Sequence, residues 1–144
     1  MPIEGEYAPS PEGWVRTQVA TYEESGGTKG TTQQGVPCVV LWTRGRSSGK
    51  VRKNPLMRVE HDGAWAVVAS NGGAVEHPQW FQNLLADPDV TLQDGPAVVD
   101  VGARVVEGDE RAAWWQRAVA VFPNYAEYQA RTDRQIPVLV ASPR

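Results

Sequence analysis

The chain has 144 residues, 41% of them hydrophobic, 22% charged and 8% aromatic, and carries a formal net charge of −3. That is enough chain for one compact domain with its own core, and too little for two. Six tryptophans and a small acidic surplus exclude both a disordered acidic chain and a generally basic nucleic-acid binder.

The lone Cys38 has no partner for an internal disulfide, and the chain contains neither a signal-type segment nor an apolar run of 18 residues. A cytoplasmic protein without an integral membrane segment is expected. Cys38, His61 and His77 are the only soft or imidazole ligands and share no ligand spacing, so no metal site is expected.

Residues 1–9 read as a flexible arm ahead of a single domain over 10–144. Ser10-Pro11-Glu12 reads as a helix start, Val15, Val19 and Tyr22 recur at helical spacing, and Gly26-Gly27 ends the pattern. A Gly/Thr/Gln-rich loop fills 28–35. The period then becomes β-type: strands are expected over 37–43 and 51–60, joined by a turn with Gly45 and Gly49, and over 64–70 after His61-Asp62-Gly63. A short helix over 78–86 shows Phe81, Leu84 and Leu85 on one face. A second hairpin spans 90–93 and 97–107 around Asp94-Gly95. A helix from Asp109 aligns Ala112, Trp115, Val119 and Phe122, Pro123 interrupts it, residues 125–131 add a turn or two, and residues 136–141 form the last strand. About six short strands, mostly hairpin-connected with peripheral helices, predict an α+β domain on a small, mostly antiparallel barrel.

Charge is unevenly spread along these elements. Arg44, Arg46, Lys50, Arg52, Lys53 and Arg58 fall within fifteen residues that contain no acid, while the other 129 residues carry 8 basic and 17 acidic side chains, a formal −9. Such an island suits a compact anionic ligand; a nucleic-acid groove calls for a longer stripe with interleaved aromatics. Within it, Gly45-Arg46-Ser47-Ser48-Gly49-Lys50-Val51-Arg52 offers bare amides, hydroxyls and cations, the ingredients of a phosphate cradle, although it lacks the Gly-Lys-Ser/Thr of a P-loop. A solvated hairpin turn is the plainer alternative.

Ser70-Asn71-Gly72-Gly73-Ala74, between an apolar strand and a helix, could border the edge of a planar ring or be an ordinary turn. Most aromatics fit a core. Tyr125 and Tyr128 lie in the polar segment 123–132, where their hydroxyls could face a pocket. His61 reads as a turn residue and His77 as a helix-start residue. No Ser/His/Asp, Cys/His or paired-carboxylate arrangement stands out, which suits an enzyme whose reactive atom belongs to a cofactor.

The blocks 39–56, with Thr43-Arg44-Gly45-Arg46-Ser47-Ser48-Gly49-Lys50 at its centre, 68–73, 77–84, and 123–137 with Pro123-Asn124-Tyr125-Ala126-Glu127-Tyr128, are similar in order and spacing to the deazaflavin-dependent nitroreductase family. The resemblance implies a split β-barrel that binds reduced coenzyme F420 and passes a hydride to a small electrophilic acceptor: a quinone, an enone or coumarin-type lactone, or a nitro compound. It implies that Arg46, Ser47, Ser48, Gly49, Lys50 and Arg52 hold the phosphate and acidic tail, and that Pro55, Leu56 and Met57 back the ring. Ser70, Asn71, Gly72, Gly73, Ala74, Trp80 and Asn83 would border that ring. Tyr125 and Tyr128 become candidates for substrate contact or proton supply. The nitroimidazole-activating branch of that family carries tyrosines where Met57 and Phe122 stand here, so two hydroxyls are missing from this chain. The rival readings are an FMN-dependent oxidoreductase on the same barrel and a non-catalytic F420 carrier. Oligomeric state stays open.

Overall fold

The computed structural model describes residues 2–144. Helix α1 spans Gly13–Glu24 and is followed by a two-residue strand β1, Thr32–Gln33. Strands β2 (Val36–Arg44) and β3 (Val51–Met57) form one hairpin, β4 (Val59–His61) and β5 (Ala64–Val68) a second. A 3₁₀ turn at Asn71–Gly73 leads into α2, Gln79–Ala86. Strands β6 (Asp89–Asp94) and β7 (Ala97–Val105) make the third hairpin, α3 (Gly108–Val121) and α4 (Asn124–Ala130) follow, and β8 (Val138–Pro143) closes the chain.

These strands build one antiparallel sheet ordered β1-β2-β6-β7-β8-β5-β4, with β3 paired to β2. It is the expected split barrel, but with eight strands rather than about six. The short β1 lies in the segment read as a loop. The run expected as one strand over 51–60 is divided at Arg58: β3 pairs with β2 and β4 with β5, so the chain changes partners there.

Both faces of the sheet are buried. Val39, Leu41, Trp65, Val67, Leu92, Val101 and Leu139 point inside with Trp80, Phe81 and Leu84 of α2, while Cys38, Ala66, Val68, Val138 and Val140 point out against Trp114, Ala118, Phe122 and Tyr125. A strand with apolar neighbours on both faces needs no polar alternation, which explains runs such as Cys38-Val39-Val40-Leu41. Helix α1 covers a further stretch, with Val15, Val19 and Tyr22 against Val40.

Three details depart from the expected pattern. The α1 N-cap is Glu12, and Ser10 instead accepts the Glu12 N–H at 3.1 Å. Leu85 is exposed, because α2 buries Trp80 and Asn83 with Phe81 and Leu84. Helix α3 is rotated by about one position, burying Trp114 and Ala118, while Trp115 lies at the margin under the Arg111 guanidinium, 5.0 Å from its ring centre. The arm 2–9 runs along the sheet: Ile3 is buried and donates its N–H to Thr91 Oγ1 at 2.9 Å, and Val51 bonds through its backbone to Glu6 and Ala8.

Tyr22 joins α1 to the sheet. It is wholly buried, and its hydroxyl donates to Cys38 O (3.1 Å) and accepts the Gly95 N–H (2.6 Å). Tyr22→Phe leaves both backbone groups short of a partner and is expected to lower stability by about 1–3 kcal/mol in urea unfolding. Cys38 reports the same region: burial pushes its thiol up to about 11, so it is protonated at neutral pH. Its alkylation by iodoacetamide should be slow in the native protein and measurably faster in Tyr22→Phe.

Candidate active site

A cavity of about 780 Å³ runs along β3 and is closed by elements from both ends of the curled sheet. Its floor is Pro55, Leu56 and Met57 of β3, faced by Val68 and Ser70 at the end of β5. The turn of the first hairpin (Gly45 to Ser48) and Arg52 bound one end, and Phe122, Tyr125 and Tyr128 line its wall with Asn71 and Gly72. That volume lies within the range of about 300–1,000 Å³ usual for small-molecule sites.

The turn is built by its own backbone. Gly45 N–H donates to Lys50 O and Gly49 N–H to Gly45 O, each at 2.8 Å, with Gly49 at φ +72. A Cβ on Gly45 would meet Ser48 Oγ at 2.9 Å. Asn83, buried on α2, bolts the turn down: its Oδ1 accepts from the Arg46 N–H and Nη1, both at 3.2 Å, and its Nδ2 donates to Thr43 Oγ1. Gln79 accepts a further bond from Arg46 Nη2 at 2.7 Å.

The basic island is less free than its sequence suggests. Arg44 pairs with Asp87 (2.9 Å), Lys53 with Glu23 (2.6 Å) and Arg58 with Asp94 (2.8 Å). Acids distant in sequence thus engage half of the six cations. Arg46, Lys50 and Arg52 remain around the turn, with Lys50 in a looser, exposed contact to Glu6 at 3.5 Å and Arg52 reaching the carbonyls of Ala8 and Pro9 at 3.3 and 3.5 Å. Ser47 has no hydrogen-bonding partner among the described residues.

Of the residues singled out in the sequence, Arg46, Ser47, Ser48, Arg52, Pro55, Leu56, Met57, Ser70, Asn71, Gly72, Trp80, Asn83, Tyr125 and Tyr128 line this one cavity. Gly49, Lys50, Gly73 and Ala74 do not line it. Gly73 has a packing role instead: at φ +81 it abuts α4, where a Cβ would come within 2.8 Å of Tyr128 O. Trp14, His77 and Gln79 also line the cavity and were not picked out. Trp14 had a legible signal, since it lies off the Val15/Val19/Tyr22 stripe of α1.

Tyr125 is buried beside Phe122, with ring centres 5.1 Å apart, and Tyr128 packs 6.3 Å away. Burial above all, reinforced by Cys38 and Tyr128, pushes the Tyr125 phenol far above its ordinary range, so it stays a neutral donor. Neither tyrosine hydroxyl has a protein partner among the described residues. Among those residues no cluster of His, Cys, Asp or Glu could hold a metal ion, and no helix is long and apolar enough to cross a membrane.

A split barrel with donor-rich cations at one end of a groove, an apolar floor and neutral hydroxyls at the other belongs to the class that binds a phosphate-bearing ring cofactor. The description of the F420H(2)-dependent quinone reductase family matches residues 14–143, and the chain belongs to that family. The F420H(2)-dependent quinone reductase of Mycobacterium tuberculosis strain H37Rv is 34% identical over 134 residues, 90% of each chain. A solved F420-H2 dependent reductase (FDR-A) is 51% identical with a TM-score of 0.70, covering 74% of this chain and 94% of that one. A second solved structure, described as a domain-swapped dimer, is 48% identical with a TM-score of 0.73, covering 92% and 100%.

The enzyme is therefore an F420H2-dependent oxidoreductase, and its cofactor is coenzyme F420 rather than FMN. The donor set fits that group: amides, Ser47 and two arginines for a phosphate, and a flat apolar floor for a ring. The contact between Gly73 and α4 can be tested. Gly73→Ala should cost about 1–3 kcal/mol and displace the tyrosines, seen as a changed near-ultraviolet circular dichroism spectrum. Gly72→Ala, at φ +65 with nothing within 4 Å of its Cβ, should lose stability without that spectral change.

Proposed function

We propose that the acceptor is a quinone, with enones, coumarin-type lactones and nitro compounds as further electrophiles, and that it binds against the ring under Tyr125 and Tyr128. The observation that carries this reading is the polarity of the cavity: cations gather at the turn, and the tyrosine end offers only neutral donors above an apolar floor. Arg46, Ser47, Ser48 and Arg52 would hold the cofactor's phosphate, with Lys50 adding charge behind the turn. Pro55, Leu56 and Met57 would support the ring, and Ser70, Asn71 and Gly72 would meet its edge.

When bound and reduced, F420 supplies a hydride. The chain supplies position and protons: hydride plus one proton converts a quinone to its hydroquinone, and the wall formed by Tyr125, Tyr128 and Phe122 holds the acceptor flat while restricting water. Tyr125 and Tyr128 hydroxyls donate to the acceptor oxygen as negative charge develops on it. Met57 and Phe122 present no polar atom, so this part of the wall favours apolar ring systems over nitroimidazoles.

Arg52→Ala should raise the F420 dissociation constant roughly 10- to 100-fold, the value of one charge-assisted bond, and wild-type binding should weaken as salt is added. An unchanged constant in a fluorescence titration removes Arg52 from the site. Tyr125→Phe or Tyr128→Phe should lower kcat/KM with menadione about tenfold while leaving F420 affinity intact, as expected for one lost hydrogen bond to the acceptor. Because the Tyr125 phenol is held protonated, wild-type activity should show no loss from its ionisation up to about pH 10.

A further inference from the structure

Arg134 lies in the loop between α4 and β8, and its guanidinium is consumed inside the protein. Its Nε donates to Ala74 O (2.9 Å), Nη1 to Ala69 O (3.2 Å) and Nη2 to Ser70 O (2.7 Å). Nη1 also lies 2.9 Å from Nδ1 of His77. The loop bearing Arg134 is anchored in turn, with Gln129 Nε2 donating to Arg134 O at 2.8 Å and Gln129 Oε1 accepting the Ile136 N–H at 2.9 Å.

A guanidinium has donors and no acceptor. His77 Nδ1 must therefore accept, which places the ring proton on Nε2. Burial, and then the Arg134 charge, disfavour protonation and hold the imidazole below its ordinary pKa. Phe81 supports the ring, with centroids 4.8 Å apart. The imidazole is thus fixed in position and tautomer, with Nε2–H as its remaining polar atom. That atom has no protein partner among the described residues, and His77 lies in the cavity wall. Because one guanidinium holds both Ser70 O and His77 Nδ1, His77 stands beside the 70–72 turn.

We propose that His77 is a cofactor-binding residue, a neutral Nε2–H donor to a carbonyl oxygen at the edge of the deazaflavin ring, and that Arg134 is the positioning residue that fixes its tautomer. This rests on the placement of the ring edge at the 70–72 turn. A purely structural Arg134 would hold the loop equally well whichever nitrogen of His77 bore the proton, so the tautomer separates the two roles.

Two measurements test the proposal. In ligand-free, ¹⁵N-labelled protein, His77 should show the Nε2–H tautomer and titrate below an ordinary histidine, and Arg134→Gln should mix the tautomers and move the His77 titration up toward that of an ordinary histidine. An Nδ1–H tautomer in the wild type, or an unchanged one in Arg134→Gln, overturns the positioning role; Arg134→Met, which removes the donor outright, serves if the glutamine variant does not fold. The second measurement is fluorescence titration with F420 and with its chromophore lacking the phosphate tail. His77→Leu should weaken both about 3- to 10-fold, and His77→Gln, whose amide nitrogen reaches a similar place, should recover most of the loss. Arg134→Gln added to His77→Leu should weaken binding no further. An affinity of His77→Leu unchanged from wild type for both ligands, or a loss confined to the tailed one, overturns the contact. The ring placement is checked separately: Arg52→Ala should weaken F420 and spare the tail-less chromophore, and equal loss of both would fault the placement rather than the tautomer.

Discussion

The groove exists because one strand cannot stay with its partner past residue 57. At Arg58 the chain leaves β2 and continues as β4 beside β5, at the other end of the sheet order. Arg58 fixes that crossing: its N–H donates to Pro37 O at 2.8 Å, and its Nε donates to both oxygens of Asp94 at 3.0 and 2.8 Å. Asp94 also accepts the indole N–H of Trp65 on β5 at 3.0 Å, so one carboxylate at the end of β6 ties both halves of the curled sheet. Charge-assisted bonds of this kind are shorter and more directional than neutral ones, and the Asp94 side chain is largely shielded from solvent. The β3 surface and the end of β5 are thereby held apart across a gap, and that gap is the cavity floor and its opposite wall.

The same constraint decides where charge is available. A fifteen-residue window without an acid looks electropositive when counted along the chain, but folding brings Asp87, Glu23 and Asp94 to three of its six cations. Those three hold the frame. Arg46 and Arg52 line the groove, with Lys50 behind the turn, and even Arg46 is steered by Asn83 and Gln79. Half of the island is architecture, and the other half is what the proposed reading uses to hold the cofactor. Local counting could not divide them, because the dividing contacts span thirty to forty-three residues.

What could be read from the chain follows from the range of the interactions involved. Hairpins around Asp62-Gly63 and Gly95, the apolar stripe of α1 and the antiparallel barrel depend on local turn chemistry and periodicity, and they were legible. The break at Arg58 was not, because Val59, Glu60 and His61 continue a credible strand pattern and only the distant Asp94 interrupts it. Helix α3 shows the same limit: Trp114 and Trp115 are equal by composition, and the face that wins is set by Ala66, Val68, Val138 and Val140 beneath it. In the site, the glycine- and serine-bearing turns carried their own signal. His77 did not, since its meaning comes from Arg134, fifty-seven residues away.

The arrangement also explains how so few chemically assertive side chains can serve a reductase. The cations that line the groove lie at the cradle end, where a polyanionic tail can meet them and where solvent screens what is left over. Beside them are a phenol kept neutral by burial and an imidazole whose protonation is disfavoured first by burial and then by the Arg134 guanidinium at its back. A cation aimed into the cavity there would favour an anionic ligand at all times, including before reaction; the Arg134 guanidinium is turned instead onto backbone carbonyls and His77. Neutral donors respond most strongly when negative charge appears, which on the quinone reading happens only as the hydride arrives. On the proposed reading, the charge that holds the tail and the hydroxyls that face the acceptor are separate parts of one groove, so a substitution in the cradle need not disturb the acceptor wall.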